Sequence, residues 1–576
     1  AHVMAATREP ALEERGAVAG DWLRRLYLKL MRPLIASRRM RYVFIGTIVV
    51  LLLAAMTQPL WQYLRPSGPN GPLSVMGVGL QMLPDDNTNT LLLEVKAPAG
   101  TPPSGTNAVV RDITNVLAKT RYVTNFEAYL GQSAPPDFAA LVRGDAMNGG
   151  AAYAQIRVNL VPKGDRPIGS HAIAQKLYAA LAGVRNESPA TRIKIFETPP
   201  GPPVRSQVLA QLYGPDYGTL RKLASEVEQR FDHVWGLINQ DTSVTANAPE
   251  YRIVVDKQKA AMFGLDPNHV ARTVHNYMAG FTIGILHDPT ARAPIDIRVR
   301  LPEAQRATMN QLLALRVQSA SGASVPLGNV VTIKHGLTAK PIYTKDQHPV
   351  VYVSGDMLHG SPVSGVVTLQ KELNGMKLAG GEHLTAGNLG FIDKRPDDVS
   401  HYQLFWGGEM RLTLDVFRDL GSAFIVALML IYLLLAAYYQ SFMMPLIVMG
   451  GIPLTLIGVF PGHWLLGQPF TATSMIGVIA LAGIVVRNSL LLIDFILDYR
   501  RQGHPLRDAV VEAGAVRARP ILLTALAIMS ASFVMVSDPV FGGLAISLIF
   551  GTLVSTVLTL FVIPLLYLAW QKRMGA

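Results

Sequence analysis

Six apolar runs constrain this chain more than any other feature. They lie at about 42–62, 420–439, 444–466, 472–497, 519–537 and 541–569, and each is near the ~20 residues that a helix needs to cross hydrocarbon. Between the first and second lie about 360 polar residues, room for two or three compact units of ~100–200 residues each. The 576-residue chain is 50% hydrophobic and only 16% charged, less charge than soluble domains carry. The expected class is an α+β membrane protein with six transmembrane helices and one large exterior domain.

Charge sets the expected orientation. Arg24, Arg25, Lys29, Arg32, Arg38, Arg39 and Arg41 precede the first run, Arg500, Arg501, Arg507, Arg517 and Arg519 lie between the fourth and fifth, and Lys572 and Arg573 follow the last. An even number of crossings puts all three groups on one side, which the positive-inside rule makes cytoplasmic. Residues 1–41 then form a basic amphipathic cytoplasmic lead that anchors at anionic headgroups, and 571–576 a cytoplasmic tail. The net charge of +12 reads as this topology and not as a nucleic-acid footprint, because no aromatics interleave the basic residues. The absence of cysteine excludes disulfides, zinc thiolates and thiol catalysis. The first run lies behind a long lead and reads as an uncleaved anchor. The chain opens with Ala1, so a piece of a longer chain and a processed chain both stay open.

The exterior domain has a readable order. Thr90–Lys96, Val123–Leu130, Ala154–Val161 and Arg192–Phe196 read as strands, while Thr106–Lys119 and His171–Leu181 have helical spacing. That is β-α-β-β-α-β, the ferredoxin-like pattern. A second such unit starts with a strand at Gln207–Tyr213 and a helix at Gly218–His233, and closes with Val350–Gly355 and Pro362–Leu373. Pro199-Pro200-Gly201-Pro202-Pro203 separates the two units, and Gly380-Gly381 precedes the return to the membrane. The expected divisions are a unit at 63–203, a unit at 204–245 with 346–410, an insertion at 246–345 and a five-helix bundle over 411–570.

Arg487 stands in mid-run, in IALAGIVVRNSLLLIDFIL. A cation at membrane depth is expensive and usually marks ion or proton traffic. Carboxylates beside a fixed cation keep depressed pKa values, and protonating them frees the cation to turn away. A guanidinium cannot itself titrate usefully, so it would switch by moving its charge. The competing reading pairs Arg487 with Asp494 at i+7, an axial gap of about 10 Å that needs an intermediary. Small residues at Gly477, Ala480, Gly483, Gly542, Gly543, Ser547 and Gly551 read as close helix packing.

The chain resembles the carboxy-terminal half of a resistance–nodulation–division (RND) transporter. The residues that carry the resemblance are Tyr251–Leu265 (YRIVVDKQKAAMFGL), Leu433–Pro453 (LLLAAYYQSFMMPLIVMGGIP), Gly483–Phe495 (GIVVRNSLLLIDF) and Arg517–Thr524 (RARPILLT). It implies two ferredoxin-like porter subdomains with a docking insertion, in a periplasmic domain above a bacterial inner membrane. It also implies a proton relay in which Arg487 is the cation, Asn488 follows it, Thr524 supplies a hydroxyl and Arg517 lies on the cytoplasmic side. For Thr524 a bond to its own helix is an equal alternative. The acidic partners would lie in an amino-terminal half, fused upstream or separate. The loop of Gly131, Gln132, Ser133, Pro135, Pro136 and Phe138 resembles the family's switch loop, or is a rigid connector. A homotrimer, a periplasmic adaptor and an outer-membrane channel are implied partners.

The heavy-metal branch typically carries a Glu in the corresponding span. Here Arg487-Asn488 stands instead, so the expected solutes are hydrophobic or amphiphilic compounds, as in multidrug efflux. The scattered Met76, Met82, Met147, Met262 and Met278 could be thioether ligands, but fit gap filling better. The alternatives are an RND-type carrier of lipid, metal or another solute, and a transport-inactive periplasmic assembly or binding module. No GxxxxGK[ST], HExxH or GxSxG motif appears, so neither an enzyme nor a cofactor is expected.

Overall fold

The computed structural model describes residues 10–64, 71, 75–84, 86–198, 201–291, 294–378 and 380–573. Pro199 and Pro200 of the proline-rich joint, the first nine residues of the lead and the end of the tail lie outside these. Two compact units form, one of residues 1–244 with 342–576 and one of Thr245–Pro341.

In the larger unit, Thr90–Lys96 is flanked by Gly149–Leu160 and Arg192–Glu197, and Val123–Gln132 lies outside Gly149–Leu160, all antiparallel. Alternation explains the burial: Leu91, Leu93 and Val95 point to one face, where they pack on Val109, Val110, Ile113, Ile173 and Leu177 of the helices Pro103–Leu117 and Ser170–Ala180. Glu94 falls on the other face and is nonetheless buried.

A second sheet runs in the order Tyr343–Lys345, His348–Met357, Val208–Tyr213, Gln403–Gly407, Thr385–Gly387, with Leu237–Thr242 also on His348–Met357. Helices Tyr217–Phe231 and Pro362–Leu373 cover it through Leu220, Leu223, Val227, Val363, Val366 and Leu369. Thr385–Gly387 and Gln403–Gly407 are strands that the sequence reading passed over. They are short and pair in parallel with each other, so no hairpin turn announces them.

Among the described residues, six helices are long and apolar enough to cross a membrane: Arg38–Leu64, Gly408–Tyr439, Met443–Leu465, Ala472–Arg501, Leu506–Phe533 and Gly542–Arg573. Several start or end well beyond the apolar runs. The second begins at Gly408, not 420, and the fifth at Leu506, not 519, because polar turns extend the helices past the apolar stretch. The third is broken: Met443–Met449 and Leu456–Leu465 are joined through Gly450 and Gly451 and a 3-10 turn at Pro453–Thr455. Pro453 lacks the N–H that would continue the helix. The helix Pro10–Ala36 precedes the spans, and its Tyr27, Met31, Leu34 and Ile35 are buried against the bundle.

The unit Thr245–Pro341 has its own core of Ala260, Leu265, Val270, Leu312, Val317, Leu327 and Val330. Pro249–Val255 pairs antiparallel with Val331–Leu337. A hairpin of Phe281–Leu286 and Ile295–Val299 carries exposed apolar residues along both strands.

Candidate functional site

The helix Ala472–Arg501 is started by a capping box in which the Thr471 hydroxyl accepts from the Ser474 N–H. One face is buried through Gly477, Leu481, Val485, Asn488, Ser489 and Leu492. A Cβ on Gly477 would come within 2.7 Å of the Ser547 Cβ, and one on Gly551 within 2.3 Å of Leu481 Cδ1, so these glycines do serve close packing. The other face is an exposed stripe of Ile476, Ala480, Gly483, Arg487 and Leu491, the four-three spacing of one helix side.

Arg487 therefore points away from this chain's own bundle and is not buried in it, contrary to the sequence reading. It has no hydrogen bond or ion pair among the described residues. Gly483, one turn away, has nothing within 4 Å of where its Cβ would be, so the packing assigned to it from sequence is not made here. Asp494 is not the partner of Arg487: it accepts hydrogen bonds from Tyr439 (2.8 Å) and Tyr438 (3.4 Å). Asn488 is buried, on the opposite side of the helix from the stripe. Thr524 donates to the Ile521 carbonyl of its own helix at 2.8 Å. The Arg517 guanidinium lies over the Phe495 ring, 5.3 Å from its centre. The expected relay residues thus fall on two neighbouring helices with no direct bond joining them among the described residues.

The proline-bearing loop is braced from within. Gly131 adopts φ +75°, and Gln132 still belongs to its strand. The Ser133 hydroxyl lies 2.7 and 2.8 Å from the carbonyls of Asp145 and Asn148. Asp137 caps the short helix Phe138–Arg143 by accepting from the Ala140 N–H. Pro135, Pro136 and Phe138 are exposed. The segment leads into a cavity of about 120 Å³ between the two sheets, to which it contributes Ala139 and Arg143, along with Met82, His171, Glu197 and Met357 from elsewhere.

Beside this cavity is a charge cluster that the sequence reading missed. Lys194 is buried and bridges two buried carboxylates, Asp241 and Glu94 (3.0 Å to the latter). Lys96 reaches Asp241 at 2.6 Å and Glu94 at 3.7 Å, and Arg192 reaches Asp241 at 2.9 Å and Glu228 at 2.5 Å. Burial pushes the Asp241 and Glu94 carboxyls up, but Lys194 and then Lys96 more than offset it and hold both below the ordinary range. Burial pulls Lys194 down, and Glu94 and Asp241 together push it above its usual value. Next to the cluster, the Asn239 side chain pairs with Ile195 like a strand, accepting from its N–H (3.1 Å) and donating to its carbonyl (2.8 Å). The available signal was a charge at the centre of two apolar strands, in TLLLEVK and RIKIFE. Among the described residues, no group of three or more His, Asp or Glu is placed to hold a metal ion.

Relatives share this sequence and architecture. The chain is 25% identical over 362 residues to the swarming motility protein SwrC of Bacillus subtilis, covering 62% of this chain and 32% of that one. It is 29% identical over 381 residues to the cobalt-zinc-cadmium resistance protein CzcA of Cupriavidus metallidurans, covering 64% and 34%. Over 384 residues it is 29% identical to the nickel and cobalt resistance protein CnrA of the same organism, covering 65% and 34%. The chain therefore spans about a third of the length of the curated relatives it matches. None of these three is named for multidrug export. Two crystal forms of a heavy metal efflux pump superpose with TM-scores of 0.71 and 0.72 at 20% and 19% identity, over 96% of this chain and 52% of theirs. Residues 72–571 match the AcrB/AcrD/AcrF family, and the chain accordingly belongs to that family of RND transporters.

Proposed function

We propose that this chain is the carboxy-terminal half of a proton-motive-force-driven RND-type transporter, with Arg487 as the cation of its relay. The observation that carries the reading is the exposed guanidinium. Against lipid it would cost about 3 kcal/mol on the insertion scale, and nothing in this chain compensates it. Its neighbours Gly483 and Ala480 leave room for another helix to approach closely. A companion half bearing carboxylates opposite Arg487 satisfies both. Thr524 and Arg517 are auxiliary in this reading, and Asn488 packs the buried side of the same helix.

The division at 245 and 341 supports a docking unit near 246–345, and the two strand orders support ferredoxin-like porter subdomains at 63–203 and at 204–245 with 346–410. The inner-membrane location, the homotrimer, the adaptor and the outer-membrane channel follow from family membership. For the solute we favour the alternative over multidrug efflux: a divalent transition-metal cation. Relatives named for cobalt, zinc, cadmium and nickel support it. So does the inter-sheet cavity, which offers thioethers and an imidazole from Met82, Met357 and His171. A transported ion needs weak ligands in passing, not a closed site.

The test is export by cells making the complete assembly. The wild type should raise tolerance to Co²⁺, Zn²⁺ or Ni²⁺, and Arg487→Ala should abolish the gain without lowering protein level. Unchanged tolerance in the variant sinks the relay, and tolerance to dyes but not metals restores the multidrug reading.

A further inference from the structure

The inter-sheet cavity shares a wall with a second, larger one. The larger, about 890 Å³, is bounded by the segment after the first span, the turn at 357–362, and the loops 463–469 and 536–539 that follow the third and fifth spans. It therefore sits at the membrane-facing base of the sheets. Six residues line both cavities: Pro84, Asp86, His171, Gln207, Met357 and Leu358.

Across that wall, the helix Ser170–Ala180 meets the turn through few bonds. His171 Nε2 lies 3.2 Å from the Leu358 carbonyl, and Gln175 Nε2 donates to the same carbonyl at 3.1 Å. Gln175 Nε2 also lies 3.3 Å from His359 Nδ1. His171 Nδ1 faces Glu197 at 2.8 Å. The His359 ring stacks on Trp235 with centroids 5.7 Å apart, and the Leu358 N–H donates to the Gly236 carbonyl at 2.7 Å. The turn is thus carried by the second sheet, and the two helix side chains by the first.

The strand Arg192–Glu197 links this wall to the charge cluster. Its start is held to the second sheet by Arg192 and Lys194 on Asp241, and its middle by Ile195 on Asn239. Its end reaches the second sheet only through Glu197 and His171. Five residues of strand place these ends about 16 Å apart. Ionic bonds out of water are much the stronger, so the two sheets are pinned at one end of the strand and latched at the other.

We propose that the contact of His171 and Gln175 with Leu358 and His359 is a gate between the two cavities, opening as the sheets swing about the charged end. It rests on the transport reading, since a gate has a role only if solute passes from the membrane-facing chamber into the cleft.

The chain has no cysteine, so Gln175→Cys with His359→Cys offers one pair for a short, reductant-cleavable bis-methanethiosulfonate bridge. In cells making the complete assembly, Co²⁺ efflux by this variant is measured before bridging, after it, and after reduction. The gate requires efflux to fall about tenfold or more on bridging, to return on reduction, and to survive a bridge long enough to let the wall part. Undiminished efflux in the short-bridged protein overturns the gate while leaving the transport reading in place. Absence of Co²⁺ and dye efflux from the wild-type assembly removes that reading, and the gate falls with it.

Discussion

Lys194 and Arg487 are both cations in apolar surroundings, and the chain treats them in opposite ways. Lys194, between the sheets, is enclosed by Glu94 and Asp241 from this same chain. Arg487, on a membrane helix, is given no partner and points outward. A buried charge is tolerated only when paired and hydrogen-bonded. The sheet interface therefore closes its electrostatics internally, while the membrane bundle leaves one charge to be completed from outside. A cation completed internally is architecture; one left open is where another element must act.

The largest expected effect is at Lys194. Lys194→Met leaves two carboxylates with only Lys96 and Arg192 to offset them, and should destabilise the purified chain by about 3 kcal/mol in chemical unfolding. Adding Glu94→Gln and Asp241→Asn should recover most of this. A neutral single variant would break the contrast, because Lys194 would then not be holding the cluster.

The cluster should also respond to pH. Asp241 and Glu94 have folded-state pKa values below their unfolded ones, so their contribution is full above about pH 4 and is lost as pH falls below it. Lys194 is raised, so its contribution is full below about pH 10 and fades as pH rises beyond. Unfolding curves from pH 3 to pH 7 should show a stability rise in the wild type that is flattened in the triple variant.

Next comes Asp494, a membrane carboxylate completed internally. Tyr439→Phe removes its shorter hydrogen bond and should cost about 1 kcal/mol, the lower range for a bond to a charged group because the pair is only half buried. Measured against Arg487→Met in the same detergent, it sharpens the comparison. The arginine variant should change stability by no more than about 0.5 kcal/mol while removing proton-coupled export. A larger loss for Arg487→Met would mean that the guanidinium has an unrecognised role in this chain's own fold. Thr524→Val should have the smallest effect on stability, about 0.5 kcal/mol or less, since its hydroxyl only doubles a bond within its own helix. Intact export in that variant would remove Thr524 from the relay.

Local pattern carried much of the fold. The two-residue alternation of Leu91, Leu93 and Val95 and the helical spacing of Val109, Ile113 and Leu117 were readable because burial follows period. The apolar spans were readable because bilayer thickness sets their length. The strands Thr385–Gly387 and Gln403–Gly407 were not, since each is short and its partner is chosen by the sheet and not by its own residues. The break in the third span was hidden within a continuous apolar run, although Gly450, Gly451 and Pro453 were in view. Of the candidate site, Arg487 stood out by its chemistry, but its direction did not: the same residue seven positions from Asp494 could as well have been paired within the chain.

Composition, spacing and charge in the linear chain were enough to place six membrane helices, an exterior α+β region and one anomalous cation, because each depends on a residue and its near neighbours. Which charges meet depended on strand register and helix facing: that Lys194 lies between Glu94 and Asp241, that Asn239 binds Ile195 as a strand would, that Arg487 looks outward. Those contacts join residues tens to hundreds of positions apart, and only packing brings such residues within the few ångströms over which charges and hydrogen bonds act.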